Sequence, residues 1–206
     1  MILQSDPGWL PARRGCLTGS RMADALAYLK NGKESEARRK YKMELVAERV
    51  SDHAVSRYVT PAMQRGLDLE PDAKDAYEIE TGVLLGPAAW FEHPRLEFFG
   101  ATTDGSIGDD GLAEFKVPLV HTYVEWLLAG EIPADHIPQL LAQLAVTRRR
   151  YVDFVAFCPE APPSKRLFIR RLEPTAEDVA NLEAGAAAFL DDVAAMFEAF
   201  TETAAA

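Results

Sequence analysis

Cysteine is scarce in this sequence: Cys16 and Cys158 stand alone and far apart in 206 residues. Two such separated thiols fit a reduced protein better than a disulfide framework. They also exclude a four-cysteine iron–sulfur cluster. The four histidines show no helical i, i+4 pairing, so no zinc motif is present. No apolar run approaches the length of a membrane span. The first residues lack the basic region and apolar stretch of a signal peptide. A soluble cytoplasmic protein with no membrane partner is therefore expected. Repeats are absent, and low complexity is confined to the alanine tail.

What is present is ordinary for a globular protein, with 48% hydrophobic and 26% charged residues. The length predicts one domain, residues 1–206, large enough to bury a core. The formal net charge of −10 at first disfavours a nucleic-acid partner. Its distribution removes that objection. Residues 1–60 hold 11 Lys and Arg against 7 Asp and Glu, whereas Glu173 to Ala206 hold 8 acids and no Lys or Arg. A nucleic acid needs a local basic surface rather than a basic total.

The chemistry concentrates between Asp104 and Lys116. Residues 98–103, Phe-Phe-Gly-Ala-Thr-Thr, read as a strand that delivers Asp104, with Thr102 on the same face. Gly105, Gly108 and Gly111 with Asp109 and Asp110 make a turn. Leu112 to Val117 then alternates apolar with charged, the period of a half-buried strand. Such a hairpin sets Asp104 level with Glu114 and Lys116, which share a face as i and i+2. Carboxylate oxygens suit Mg²⁺, which binds at roughly 2.0–2.1 Å through few carboxylates beside a phosphate. Such an ion can stabilise the attacking and leaving oxygens of phosphodiester hydrolysis. A lysine beside it can orient or deprotonate the attacking water. The competing reading is a surface hairpin closed by a salt bridge.

Basic candidates cluster early. Thr18 or Ser20 is placed to cap a helix from Arg21 to about Leu29. A serine at a helix start beside Arg13 or Arg14 reads as a phosphate site or as a plain cap. Lys30-Asn31-Gly32-Lys33 is a turn whose lysines are taken as nucleic-acid backbone contacts. A helix from Glu34 to about Val55 follows, with Tyr41, Leu45, Glu48 and Asp52 on one flank. Its run Arg38, Arg39, Lys40 and Lys42 reads as a solvated basic face.

Pro61 to about Thr81 is a helix with proline at its start and Gly82 at its end. On residue pattern alone its Glu70 is an exposed acid and its Met63 a core residue. Residues 83–91 read as one strand, and Thr122 to Ala129 as a short helix closed by Gly130. Asp135 is the expected cap of a helix over 132–147, where Gln139 and Gln143 share a face and His136 is placed to line a cleft. Residues 151–157 and 166–171 are strands. A last amphipathic helix, about 174–200, is expected to pack across the sheet with its acids outward.

Together these stretches resemble one family. Asp104-Gly105, a turn and Glu114-Phe115-Lys116 is similar to the core of PD-(D/E)XK nucleases. Trp9, Arg13, Gly15, Thr18 and Ser20, then Gly66 and Glu70, the hairpin, and the Gln139 helix follow the order of the phage lambda exonuclease or YqaJ-like viral recombinase branch. The resemblance spans about Trp9 to Phe157, with Arg13 slightly shifted and Gly19 in place of an alanine. It implies an α/β fold, a central mixed β-sheet flanked by helices around a restriction-endonuclease-like core. It also implies that Asp104, Glu114 and the Phe115 carbonyl bind one Mg²⁺ and that Glu70 helps hold a second, with Mn²⁺ as a substitute. Lys116 and Gln139 would position and activate water, Gln143 being the alternative glutamine. Arg13, Ser20 and Thr102 would hold a 5′-terminal phosphate, Arg14 competing with Arg13, while Met63 would help splay the DNA end.

The implied activity is 5′-to-3′ digestion of one strand of duplex DNA from its ends. It would release 5′-mononucleotides and leave 3′ single-stranded tails for recombination by strand annealing. Implied partners are double-stranded DNA ends, further copies in a ring-shaped homotrimer, and a single-strand annealing protein, in a bacterial host and encoded by phage or prophage. Two alternatives stand beside it. One is an endonuclease or structure-specific nuclease of the same core; the other is a catalytically silent DNA-end-binding protein.

Overall fold

The computed structural model describes residues 1–51 and 60–203. In chain order the elements are β1 (Ile2–Leu3), α1 (Trp9–Arg13), β2 (Leu17–Thr18), a 3-10 turn (Gly19–Arg21), α2 (Met22–Ala25), α3 (Glu36–Val50) and α4 (Pro61–Thr81). Then come β3 (Leu85–Gly86), β4 (Ala89–Glu92), β5 (Phe99–Thr103), β6 (Gly105–Ile107), β7 (Gly111–Lys116), α5 (Val120–Ala129) and α6 (Ile137–Thr147). The chain ends with β8 (Tyr151–Phe157), β9 (Leu167–Leu172) and α7 (Ala176–Thr203).

The expected α/β class holds, and the mixed pairing is explicit. One sheet runs β1-β4-β5-β2 and the other β3-β6-β7-β8-β9. β7 pairs with β6 antiparallel and with β8 parallel. The chain crosses from the first sheet to the second at Asp104, between β5 and β6. The single strand expected over 83–91 is in fact two, one in each sheet. Pro87 lies between them and has no N–H for a ladder.

Local chemistry sets the long helices. Thr60 accepts from the Met63 N–H and Pro61 occupies the first turn of α4, while Gly82 closes it at φ 71°. Ser35 caps α3 by accepting from the Arg38 N–H. Thr175 and Asp178 cap α7 reciprocally, each side chain accepting from the other's backbone N–H. The largest core cluster lies between β5 and helices α2, α3, α6 and α7, with Leu17, Tyr41, Leu45, Phe99 and Phe189 fully or almost fully buried. Tyr41 stacks on Phe189 with centroids 5.3 Å apart. Burying a side chain of that size stabilises the fold by about 1.5–3 kcal/mol.

Several expectations fail for identifiable reasons. The helix expected over 21–29 is a 3-10 turn and four helical residues, and neither Thr18 nor Ser20 caps it. Beyond Ala25 the backbone turns back, Ser35 N–H donating to the Ala27 carbonyl around the Lys30–Lys33 turn. α6 begins at Ile137 with His136 at its cap position, so Asp135 caps nothing. Pro133 disfavours helix at the residue before it, and a turn closes from His136 N–H to the Pro133 carbonyl.

The basic run is no continuous solvated face. Arg38 and Lys42 are buried, and both reach Asp192 of α7, at 3.1 Å and 3.5 Å. α7 itself lies on α3 and α6 rather than across the sheet. Its acids are not all outward, for Glu183 turns in toward His93, Arg95 and Arg148. Asp52 and the expected end of the α3 helix near Val55 lie outside the described residues.

Candidate active site

Gly105 pairs with Ala113 across the β6–β7 hairpin. Extending that register by one residue sets Asp104 level with Glu114, as the sequence predicts. The Phe115 N–H donates to Asp104 Oδ2 at 2.8 Å. Glu114, 2% exposed, is gripped from three sides. Its Oε1 accepts from Lys116 Nζ at 2.6 Å and from Gln139 Nε2 at 2.5 Å. Its Oε2 accepts from Gln143 Nε2 at 2.5 Å. Lys116 Nζ also donates to Gln139 Oε1 at 3.2 Å. The i, i+4 spacing on α6 lets both glutamines reach the same carboxylate.

Asp104, Glu114, Phe115 and Lys116 form one wall of a cavity of about 470 Å³. α4 supplies the facing wall through Met63, Gly66 and Glu70. Met63 is exposed and turned to this cavity instead of the core. Trp126 also lines the cavity; nothing in its local sequence marked it for that place. His136 packs edge-on against Trp126 and tilted on Phe154, both at 5.2 Å between centroids.

Charge is crowded here. Burial, then the Glu114 charge, push the Asp104 carboxyl well above the usual carboxylate range, against the pull of Lys116. Burial pulls Lys116 down, but Glu114 and Asp104 outweigh it and hold the ammonium above its ordinary value. Burial and the Lys116 charge hold His136 below the usual histidine range. A buried acid raised by a neighbouring acid is relieved by a cation placed between them. The donor set is oxygen throughout, which fits a hard divalent ion. Among the described residues no three or more His, Cys, Asp or Glu side chains close into a metal-binding group. Asp104 and Glu114 form the pair; Glu70 lines the same cavity and is ion-paired with Lys74 at 2.7 Å.

The phosphate candidates are more dispersed. The Gly19–Arg21 turn leans on β5 and α6. A Cβ at Gly19 would stand 2.9 Å from Ala101 Cβ, so this position takes glycine where the resembling motif has alanine. Ser20 is exposed, 3.5 Å from the Thr18 hydroxyl. The Thr102 hydroxyl is buried without a hydrogen-bond partner among the described residues. Arg13 lies over the rings of Trp9 and Trp90, at 4.2 Å and 5.7 Å. Arg14 instead lines a groove with Glu92, Arg95 and Phe98. Lys30 and Lys33 are exposed on their turn.

An acid where one strand ends, a Glu-x-Lys on the paired strand and a helix acid across the cavity are the arrangement of PD-(D/E)XK nucleases. Residues 8–150 match the family described as YqaJ-like viral recombinase domain, and the chain belongs to that family. It is similar to the crystal structure of LHK-Exo in complex with dAMP, with TM-score 0.89 and 34% identity over 97% of this chain and 98% of that one. The structure of an alkaline exonuclease, LHK-Exo from Laribacter hongkongensis, matches at TM-score 0.88 and 34% identity, with the same coverage. A phage related exonuclease from Haemophilus somnus 129PT shares the fold at TM-score 0.68 and 12% identity, over 91% of this chain and 96% of that one. No curated protein matches the sequence.

Proposed function

We propose that this chain is a Mg²⁺-dependent 5′-to-3′ exonuclease that digests one strand of duplex DNA from its ends and leaves 3′ single-stranded tails. The observation that carries the reading is the meeting of Asp104, Glu114, Lys116 and Glu70 at one cavity. The likeness to alkaline exonuclease LHK-Exo supports a nuclease, and its complex with dAMP supports a nucleotide-sized product.

Asp104, Glu114 and the Phe115 carbonyl would hold the ion, Glu70 contributing from across the cavity. Mg²⁺, or Mn²⁺ in its place, would supply Lewis-acid polarisation of the phosphate and a more acidic water. Lys116, held as an ammonium by its two acid neighbours, donates hydrogen bonds to the incoming oxygen and to the phosphate. Gln139 Oε1 accepts from the attacking water and Gln139 Nε2 keeps Glu114 in place. Met63, exposed on the rim, wedges against the terminal base pair. Arg13, Ser20 and Thr102 receive the 5′-phosphate, with Arg14 or the turn lysines Lys30 and Lys33 on the backbone. The same reading includes a homotrimer around the duplex, a single-strand annealing protein as partner, and a phage or prophage origin in a bacterial cytoplasm. No helix among the described residues is long and apolar enough to cross a membrane.

The test compares linear duplex bearing 5′-phosphate or 5′-hydroxyl ends with a covalently closed circle of the same sequence. Phosphorylated linear DNA is degraded fastest and the circle survives. A circle cut as fast as the linear form contradicts end recognition and favours an endonuclease. Loss of hydrolysis with retained end binding in Lys116→Ala separates an enzyme from a silent end-binding protein.

A further inference from the structure

The two α6 glutamines that hold Glu114 are not equivalent. Gln139 is partly exposed beside Lys116, whereas Gln143 is wholly buried. Gln143 Nε2 donates to Glu114 Oε2 on β7 at 2.5 Å and also to the Thr102 carbonyl on β5 at 2.9 Å. Those strands belong to different sheets, and Asp104 is the residue at which the chain passes between them. The amide therefore bridges β5 and β7 at the Glu114 carboxylate.

A carboxylate has about four lone-pair sites. Glu114 Oε1 already accepts from Lys116 and Gln139, while among the described residues Oε2 accepts from Gln143 alone. By that count Oε2 keeps the larger share of free lone pairs for a cation, and Gln143 sets its direction. Gln143 Oε1 is buried with no partner among the described residues, a costly state that packing alone does not explain. We propose that Gln143 is a positioning residue that fixes Glu114 Oε2 and the β5–β7 seam, so that Asp104 and Glu114 face one divalent ion. The inference rests on the metal-dependent reading above.

The test uses full-length Gln143→Met and Gln143→Leu, so that one variant remains if the other does not fold. Mn²⁺ binding is titrated calorimetrically without DNA, beside the Mg²⁺ dependence of hydrolysis, the Tm and end binding in EDTA. Outer partners of metal ligands typically govern affinity by about 10- to 100-fold. Mn²⁺ affinity is expected to fall at least about tenfold, the half-saturating Mg²⁺ concentration to rise in step, and end binding in EDTA to stay unchanged. Wild-type metal affinity with only a lowered Tm would show a packing role and overturn the assignment. Absence of Mn²⁺ binding by the wild type would instead overturn the metal-dependent reading on which it rests.

Discussion

Helix α4 divides at Pro71 into two halves held in different ways. From Pro61 to Glu70 no side chain is buried, yet this half supplies Met63, Gly66 and Glu70 to the cavity. From Pro71 to Thr81, Ala73 and Tyr77 are buried. Tyr77 meets Phe115 edge-on at 5.7 Å, and its hydroxyl donates to Asp153 Oδ2 at 2.8 Å. Asp153 is in turn held by Arg171 through two hydrogen bonds. Pro71 has no N–H for the Leu67 carbonyl and its ring crowds the preceding turn, which loosens the helix between the halves. The cavity-lining residues thus sit on the weakly packed half and the buried anchors on the other, the division expected if this wall moves to admit the substrate of the proposed reaction.

The sharpest way to break that contrast is to change one residue in each half. Glu70→Gln should lower the rate at limiting Mg²⁺ by about 10- to 100-fold with no change in metal-free Tm. A rate unaffected at every Mg²⁺ concentration would remove Glu70 from the site. Tyr77→Phe should do the reverse. It strips a donor from a buried acid, costing about 1–3 kcal/mol, and circular dichroism melts should show the loss while kcat holds.

Asp104→Asn should raise the metal-free Tm by a few degrees while abolishing hydrolysis. The sign follows from linkage. The folded Asp104 carboxyl is raised above its unfolded value by burial and by Glu114. Its favourable contribution is therefore complete below the unfolded value and is lost as pH rises through the folded one. The stabilisation by Asn is greatest near neutral pH and shrinks as pH falls toward the ordinary carboxylate range; a gap constant with pH would contradict the assigned cause. The smallest effect belongs to Arg65, which ties the outer half of α4 to Glu160 at 2.8 Å across a partly exposed gap. Arg65→Ala should cost no more than about 1 kcal/mol, read as a slight fall in the denaturation midpoint with a larger change in KM than in kcat.

What the sequence made legible was local. The hairpin register, the start and end of α4, and the glutamine face of α6 each follow from spacings of a few residues and from Gly or Pro punctuation. Glu70 and Gln139 needed the family resemblance, since a lone helix acid or amide has no signature of its own. Buried charge was not legible. Arg38 with Asp192, and Glu183 with Arg148, pair far across the chain, and each reads alone as a solvated surface charge. The seam at Asp104 was hidden because the apolar run before Pro87 and the residues after it look like one strand. Gln143 looked like an alternative to Gln139 because helical spacing cannot tell a buried partner from a half-exposed one.

The central claim is that Asp104 and Glu114 together hold a divalent ion. It is tested most directly by the Tm of wild type and Asp104→Asn with and without saturating Mg²⁺. An ion that binds only the folded site raises Tm as its concentration exceeds Kd, so wild type should shift upward and Asp104→Asn should not. Equal shifts in both proteins, or none in either, would contradict the account.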